Sequence, residues 1–293
     1  MASWHVWWEA ARPKTLMAGV CPVVIGSSLA YRDGGWHAGA ALAALAGALA
    51  IQIGTNFCND YFDFLQGADT AQRAGPRRAV QAGLVTPAAM RTATVVVFCL
   101  AALISVCLAA RAGWPVVVLG AISIALGILY TAGRRSLAYL GLGDLFVLVF
   151  FGPVAVAGTY YVQVLTLRWP VLIAGLAPGL LSVGILVVNN LRDRVQDGLI
   201  GKRTLAVRFG AAFARWQYLL CLVGAAAVPG VLWWMGAFPA PILAASLAMA
   251  PGAWMVRRLW HLEGAALNPL LGRTAALLWG YTLVFSIGCV CIR

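Results

Sequence analysis

The sequence predicts an all-α integral membrane protein of nine transmembrane helices, with the N-terminus cytoplasmic and the C-terminus outside. Three observations carry that expectation. Of the 293 residues, 62% are apolar and only 10% charged, with a mean hydropathy of +0.87, whereas a soluble globule carries roughly a quarter charged residues. Apolar blocks near the ~20 residues needed to cross a bilayer recur from end to end. The basic residues are also shared unevenly between alternate connecting segments.

The opening stretch, MASWHVWWEAARPKT, has no apolar core and no small-residue cleavage site, so no signal peptide is expected. Trp4, Trp7 and Trp8 mark it as a short interfacial helix, because indole rings settle at the headgroup level. The apolar blocks follow at roughly 15–31, 38–57, 92–111, 114–131, 143–164, 170–190, 216–235, 239–256 and 273–291. They form one domain over 1–293. The stretches 59–91 and 191–215 are too polar to span and too long for bare turns, and are expected to be functional loops on the cytoplasmic side.

With the N-terminus inside, all but four of the 21 Lys and Arg residues fall on inside segments; the exceptions are Arg32, Arg111, Arg168 and Arg293. The net charge of +12 is therefore a topology signal with some attraction to anionic lipid, and implies no nucleic acid. The seven cysteines lie in or beside apolar helices and read as small apolar filler rather than disulfides or metal ligands. His5, His37 and His261 stand alone in separate loops, which argues against a histidine metal site.

The acids are more telling. Of nine in the chain, Asp60, Asp63, Asp69, Asp193 and Asp197 fall in two clusters, directly after the second and sixth blocks. Both emerge on the cytoplasmic side, and an acid at mid-bilayer costs about 2.5–3.5 kcal/mol, so acids near a membrane are kept where something uses them. At 100° per residue, Asn56, Asn59, Asp60 and Asp63 share an arc of about 100°. Asn189, Asn190, Asp193 and Asp197 share a similar arc. Polar residues ending two spans in water would be the ordinary explanation, but two clusters on one side with matching Asn/Asp spacing favour a site. Carboxylate and amide oxygens without His or Cys suit a hard cation. Mg²⁺ in particular takes one or two carboxylates plus substrate phosphate and water. Two facing stripes could thus clamp a diphosphate.

Basic residues adjoin both stripes: Arg73, Arg77 and Arg78 after the first, Arg192, Lys202 and Arg203 within and after the second. Guanidinium forks bind phosphate oxygens in pairs and stabilise negative charge on a leaving group. For Arg91, Arg208 and Arg215 topology alone is a sufficient reason. A transporter is the rival reading from another class, but transporters usually place ionisable groups near the midplane rather than at span ends. A non-catalytic scaffold is a third reading, in which the acids would be dispensable.

With these residues in view, NDYFD together with NNLRDRVQDGLIGKRTLAVRFG resembles the UbiA superfamily of intramembrane aromatic prenyltransferases, and most nearly its menaquinone-pathway, naphthoate branch. The likeness extends to ARPKTL, PVVIG and GLGDLFVLVFFGPVAVAGTYYVQ, and weakens beyond about residue 216. The superfamily's first motif places a third Asp where Gly67 stands here, with Asp69 two positions on. That G-x-D form belongs to the naphthoate branch, and it leaves the role of Asp69 open, contact with metal through water being one option.

The resemblance implies helices around a central cavity, Asp motifs at its cytoplasmic mouth, a lateral opening for lipid, and a home in the bacterial cytoplasmic (inner) membrane. It implies Mg²⁺ held by Asn59, Asp63, Asn190, Asp193 and Asp197. The substrates are then a polyprenyl diphosphate and an aromatic acid, 1,4-dihydroxy-2-naphthoate, with CO₂ lost; 4-hydroxybenzoate, haem and chlorophyllide remain alternative acceptors. Asp60, Asp144, Lys202 and Arg203 are the expected catalytic groups. Asn56, Asp69, Arg78 and Arg192, with Tyr130, Tyr139 and Tyr160, are expected to contact diphosphate or the aromatic substrate. Tyr faces, here including Tyr161, can stabilise an allylic cation but are also ordinary interfacial residues. Asp144 either organises the hydroxylated acceptor or caps its helix. No obligate protein partner is implied.

Overall fold

The computed structural model describes residues 3–67, 75, 78–133 and 136–291. Those residues form helices and turns. The short α1 (Trp4–Ala10) precedes α2 (Pro13–Arg32), α3 (Ala38–Leu65), α4 (Pro87–Ala112) and α5 (Trp114–Leu129). Then come α6 (Gly143–Val149), a π-helical turn, α7 (Ala155–Val164), α8 (Trp169–Leu199) and α9 (Leu205–Trp234). The chain ends with α10 (Ala244–Leu247), α11 (Pro251–His261) and α12 (Asn268–Val290).

Among the described residues, seven helices are long and apolar enough to cross a membrane: α2, α3, α4, the α6–α7 unit, α8, α9 and α12 with the turn before it. Two expected spans depart from that length. α5 has 16 residues, about 24 Å of rise against the ~30 Å hydrocarbon core. The block expected at 239–256 is broken into a 3₁₀ turn at Ala240–Leu243, the single turn α10, and α11. Pro239, Pro241 and Pro251 account for the breaks, since a proline lacks the N–H that would continue the ladder.

The two loops are also shorter than expected. α3 runs through Asp63 to Leu65, and α8 through Asp197 to Leu199, so both acidic stripes are helical along their length. The connections shrink to 66–86 and 200–204. Thr86 caps α4 by accepting from Ala89 N (3.2 Å), with Pro87 at the first helical position. Thr204 caps α9 by accepting from Val207 N (3.4 Å).

α8 is the central helix, buried along most of its apolar length from Val171 to Leu191. It packs on α9, α12, α2, α6 and α7. Gly175 and Gly179 let it approach the non-helical kink at Gly152 and Pro153; a Cβ on Gly175 would come 2.6 Å from Pro153 Cα. Small residues at this spacing are how membrane helices bring backbones together. α2, α3, α4 and α5 continue the wall pairwise, and α12 closes on α2.

The N-terminal helix sits at the end that carries the acidic stripes, because Asn56 Nδ2 donates to Ala11 O (2.8 Å). The C-terminal end of α12 is at the opposite end, where Gly288 abuts Pro241 and Arg32 donates to Ala237 O (2.8 Å). In α1, Trp4 and Trp8 are exposed and stacked at 6.0 Å, as an interfacial helix requires. Trp7 instead packs edge-on against Phe57 at 5.5 Å. All seven cysteines are free.

Candidate active site

A cavity of about 830 Å³ runs along the inside of the bundle. Its α3 wall extends from Ala44 to Asp63, about 28 Å of helix rise. Most of that length is greasy: Ile104, Leu108, Val116, Leu119 and Val162 close the far end, and Phe146 and Phe150 stack at 6.2 Å along the wall. The polarity is concentrated at the other end, where Asn59 and Asp63 from α3 meet Asn189 and Asn190 from α8. Arg12, Arg78, Tyr130 and Lys202 line the same mouth. One cavity therefore unites the two stripes with cations and an apolar barrel.

Several of these polar groups are held by their neighbours. Arg78 Nη2 donates to Asp63 Oδ2 at 2.9 Å, both side chains nearly buried. Asn59 Oδ1 accepts from Thr131 Oγ1, and Gln66 Nε2 donates to Thr131 O (3.0 Å), which ties the end of α3 to the corner after α5. On α8, Arg192 makes a forked contact to both Asp193 oxygens at 2.7 Å, and also donates to Asn189 Oδ1 (2.7 Å) and Asn268 Oδ1 (3.0 Å). Lys202 Nζ stands 3.6 Å from Asp197 Oδ1, and its backbone N donates to Asp197 O at 2.8 Å, closing the turn back on the helix.

The structure redistributes several expected roles. Asp60 is buried but does not line the cavity; its carboxylate accepts from the backbone N–H groups of Ala79 (3.0 Å) and Val80 (3.2 Å). It pins the segment that delivers Arg78. Asn56 lines the mouth, and besides Ala11 O it donates to Thr15 Oγ1 (3.3 Å), fixing the start of α2. Arg192 is turned away from the cavity into its contacts with Asp193 and Asn268.

Other assignments move further. Arg203 is exposed and off the cavity wall; its backbone N donates to Tyr139 O at 3.2 Å, so this pair ties two turns together. Tyr160 is at the opposite end of the bundle, donating to Asp33 Oδ2 (2.7 Å) beside Arg168, and Tyr161 rather than Tyr160 faces the cavity. Asp69, Arg73 and Arg77 lie outside the described residues.

Tyr130, just past the end of α5, links the halves of the site. Burial first, and then the carboxylates of Asp144, Asp197 and Asp63, push its phenol above the ordinary value. Carboxylates from α3, α6 and α8 thus all act on one ring. Gly143 makes room for that ring, since a Cβ there would stand 3.2 Å from the phenol oxygen. Asp144 accepts from Gln217 Nε2 at 2.9 Å and is buried behind it, without lining the cavity.

Arg12 is the residue that sequence reasoning missed. It holds a left-handed backbone (φ 53°) at the start of α2, and its position there presents it to the cavity. Its signal in the sequence is ARPKTL, where an Arg precedes a Pro that opens a helix; as an inside charge alone, Arg12 carries only topology. Thr131 is also missing from the sequence reading, because its role depends on which face of the bundle it meets; Asn189, part of the second stripe, does line the cavity.

Among the described residues, no three His, Cys, Asp or Glu side chains gather into a metal cage. The donors at the mouth, the Asp63 carboxylate and the amides of Asn56, Asn59, Asn189 and Asn190, fit a hard cation that brings its own phosphate and water ligands; Asp193 and Asp197 stand further along α8, off the cavity wall.

A cavity of this form suits a ligand with an anionic head and a long apolar tail. The chain belongs to the UbiA prenyltransferase family, whose model matches residues 19–279, and it is a prenyltransferase. It is 43% identical over 255 residues to the 1,4-dihydroxy-2-naphthoate octaprenyltransferase of Mycobacterium tuberculosis, covering 86% of this chain and 84% of that one. It is 37% identical over 298 residues to the protein of the same name from Escherichia coli, covering 97% of this chain and 94% of the other. A solved UbiA homolog from Archaeoglobus fulgidus, bound to GPP and Mg²⁺, superposes with a TM-score of 0.67 at 13% identity, over 98% of this chain and 100% of that one. At that identity the likeness concerns the helical membrane fold.

Proposed function

We propose that the protein transfers a polyprenyl group from polyprenyl diphosphate to 1,4-dihydroxy-2-naphthoate, releasing diphosphate and CO₂ and giving demethylmenaquinol for menaquinone synthesis. The observation that carries this reading is the single cavity with a cation-and-carboxamide mouth and an apolar barrel. The names of the relatives support the naphthoate as acceptor. Counting α5 and the interrupted 240–261 segment as crossings gives nine passages, and the distribution of basic residues supports a mouth on the cytoplasmic face of a bacterial inner membrane.

The diphosphate head lies at the mouth between Arg12, Arg78 and Lys202, and the tail extends along the apolar wall. Mg²⁺ held by Asn59, Asp63 and Asn190, with Asp193 and Asp197 beyond them, would neutralise charge that builds on the diphosphate as the allylic C–O bond breaks. Arg78 and Lys202 stabilise the leaving group by direct donation. The apolar wall keeps water from the allylic carbon, and the faces of Phe146 and Phe150 offer negative π density to developing positive charge. Bond formation occurs at the ring carbon that bears the carboxylate. The electron pair of the C–CO₂ bond returns to the ring as CO₂ leaves, so this step needs no protein base. Tyr130 borders the mouth where the hydroxylated ring enters, with the Asp144 carboxylate buried behind the cavity wall.

The test is to incubate the purified protein in detergent with Mg²⁺, a polyprenyl diphosphate and either dihydroxynaphthoate or 4-hydroxybenzoate, and to read product masses. The expected product is decarboxylated prenyl-naphthalenediol. Prenylation of hydroxybenzoate and not of the naphthoate would overturn the acceptor.

A further inference from the structure

Outside the cavity, the strongest unexplained arrangement is a cluster of aromatic and basic side chains on α11 and α12. Trp254 of α11 carries two guanidiniums against its ring: Arg273 of α12 with Cζ 4.5 Å from the centroid, and Arg258 of α11 at 5.4 Å. The two cations therefore stand no more than about 10 Å apart, held to one ring from two helices. Both are exposed, and neither has a carboxylate partner among the described residues. The nearest acid along the chain, Glu263, pairs with Arg215 at 3.5 Å instead.

Arg273 lies near the start of α12, a helix long and apolar enough to span, and is exposed on it, so its guanidinium reaches the membrane interface rather than the hydrocarbon. Nearby, Trp260 packs edge-on with Trp216 at 5.7 Å, which marks the headgroup level. Asn268, at the start of α12, touches Arg192, so this level is that of the cavity mouth. What the bilayer supplies there to two unpaired cations is a lipid phosphate.

We propose that Trp254, Arg258 and Arg273 form a binding site for the headgroup of an anionic phospholipid in the leaflet that faces the cavity mouth. The phosphate sits between the two guanidiniums, and the acyl chains lie along the exposed apolar face of α12. The site is separate from the catalytic cavity and does not depend on the identity of the acceptor.

The test uses delipidated full-length protein in detergent, titrated with phosphatidylglycerol or phosphatidylcholine, with bound lipid counted by native mass spectrometry. Wild-type protein is expected to prefer phosphatidylglycerol at least tenfold, and R258Q/R273Q to lose about 25-fold of that affinity, at ~1 kcal/mol per Arg. R91Q, at the same end of the bundle, is expected to keep it, and prenyl transfer in lipid-free detergent is expected to be unchanged in every variant. Equal retention of the two lipids by wild-type protein, or wild-type retention by R258Q/R273Q, would overturn the site. Displacement of the lipid by millimolar inorganic phosphate would overturn the lipid as its occupant. If R258Q/R273Q does not purify as one species, the wild-type titration in rising salt decides, since retention that ignores salt contradicts an ionic site.

Discussion

Arg78 Nη2 donates to Asp63 Oδ2 across 2.9 Å, joining the loop after α3 to the acidic stripe on α3 at the mouth of the cavity. The pair is buried, so each partner needs the other. Removing one leaves an uncompensated charge in a poorly solvated place. Asp63→Asn and Arg78→Gln are each expected to lower kcat/KM by about 10²–10³. Their combination is expected to cost little more than either alone, as steady-state rates on a double-mutant cycle would show.

Asp60 behaves differently because its carboxylate accepts from the N–H groups of Ala79 and Val80. Asp60→Ala is expected to leave those donors unpaired, destabilising the fold by about 1–3 kcal/mol, and to expose the 66–86 connection to protease. The activity remaining in the folded fraction is expected to show a raised KM for the diphosphate, because Arg78 is no longer held in place.

Arg12 combines a strained backbone with a cationic side chain at the mouth. Arg12→Gly relieves the left-handed conformation, so the thermal midpoint in detergent is expected to fall little or to rise. Prenyl transfer is nonetheless expected to drop at least tenfold through loss of one leaving-group cation. Equal loss of stability and activity would mean that Arg12 is structural.

Tyr160→Phe is expected to leave activity within about twofold while removing roughly 1 kcal/mol of stability, because its phenol donates to Asp33 at the end of the bundle remote from the mouth. Tyr130 is the contrasting ring. Burial and three carboxylates raise its pKa, so the folded protein retains a proton that the unfolded chain releases near pH 10. Stability is therefore expected to fall as pH rises above about 10, and Tyr130→Phe to flatten that limb in a thermal-midpoint series.

What could be read directly from the sequence was local and periodic. The stripes through Asn56 and Asp63 and through Asn189 and Asp197 follow from helix geometry, and both proved helical to the end. What could not be read is tertiary. Asp60 and Asp63 share a stripe and a residue type, yet one pins a loop and the other lines the cavity, and only the path of residues 78–80 separates them. Tyr160 and Tyr161 are adjacent in the chain and face opposite ways; the partner of Tyr160 is 127 residues distant. The interruption at 240–261 was signalled by prolines, but uniform apolarity masked it.

The central claim is that stripes on two helices bind one diphosphate together. Its most direct measurement is the Mg²⁺-dependent affinity of a prenyl diphosphate, by calorimetry in detergent, for wild-type protein, Asp63→Asn, Asn190→Ala and the double variant. The account expects each single change to weaken binding at least tenfold and the double variant to lose far less than the sum of the two. Full wild-type affinity in either single variant, or independent additive losses, would contradict it.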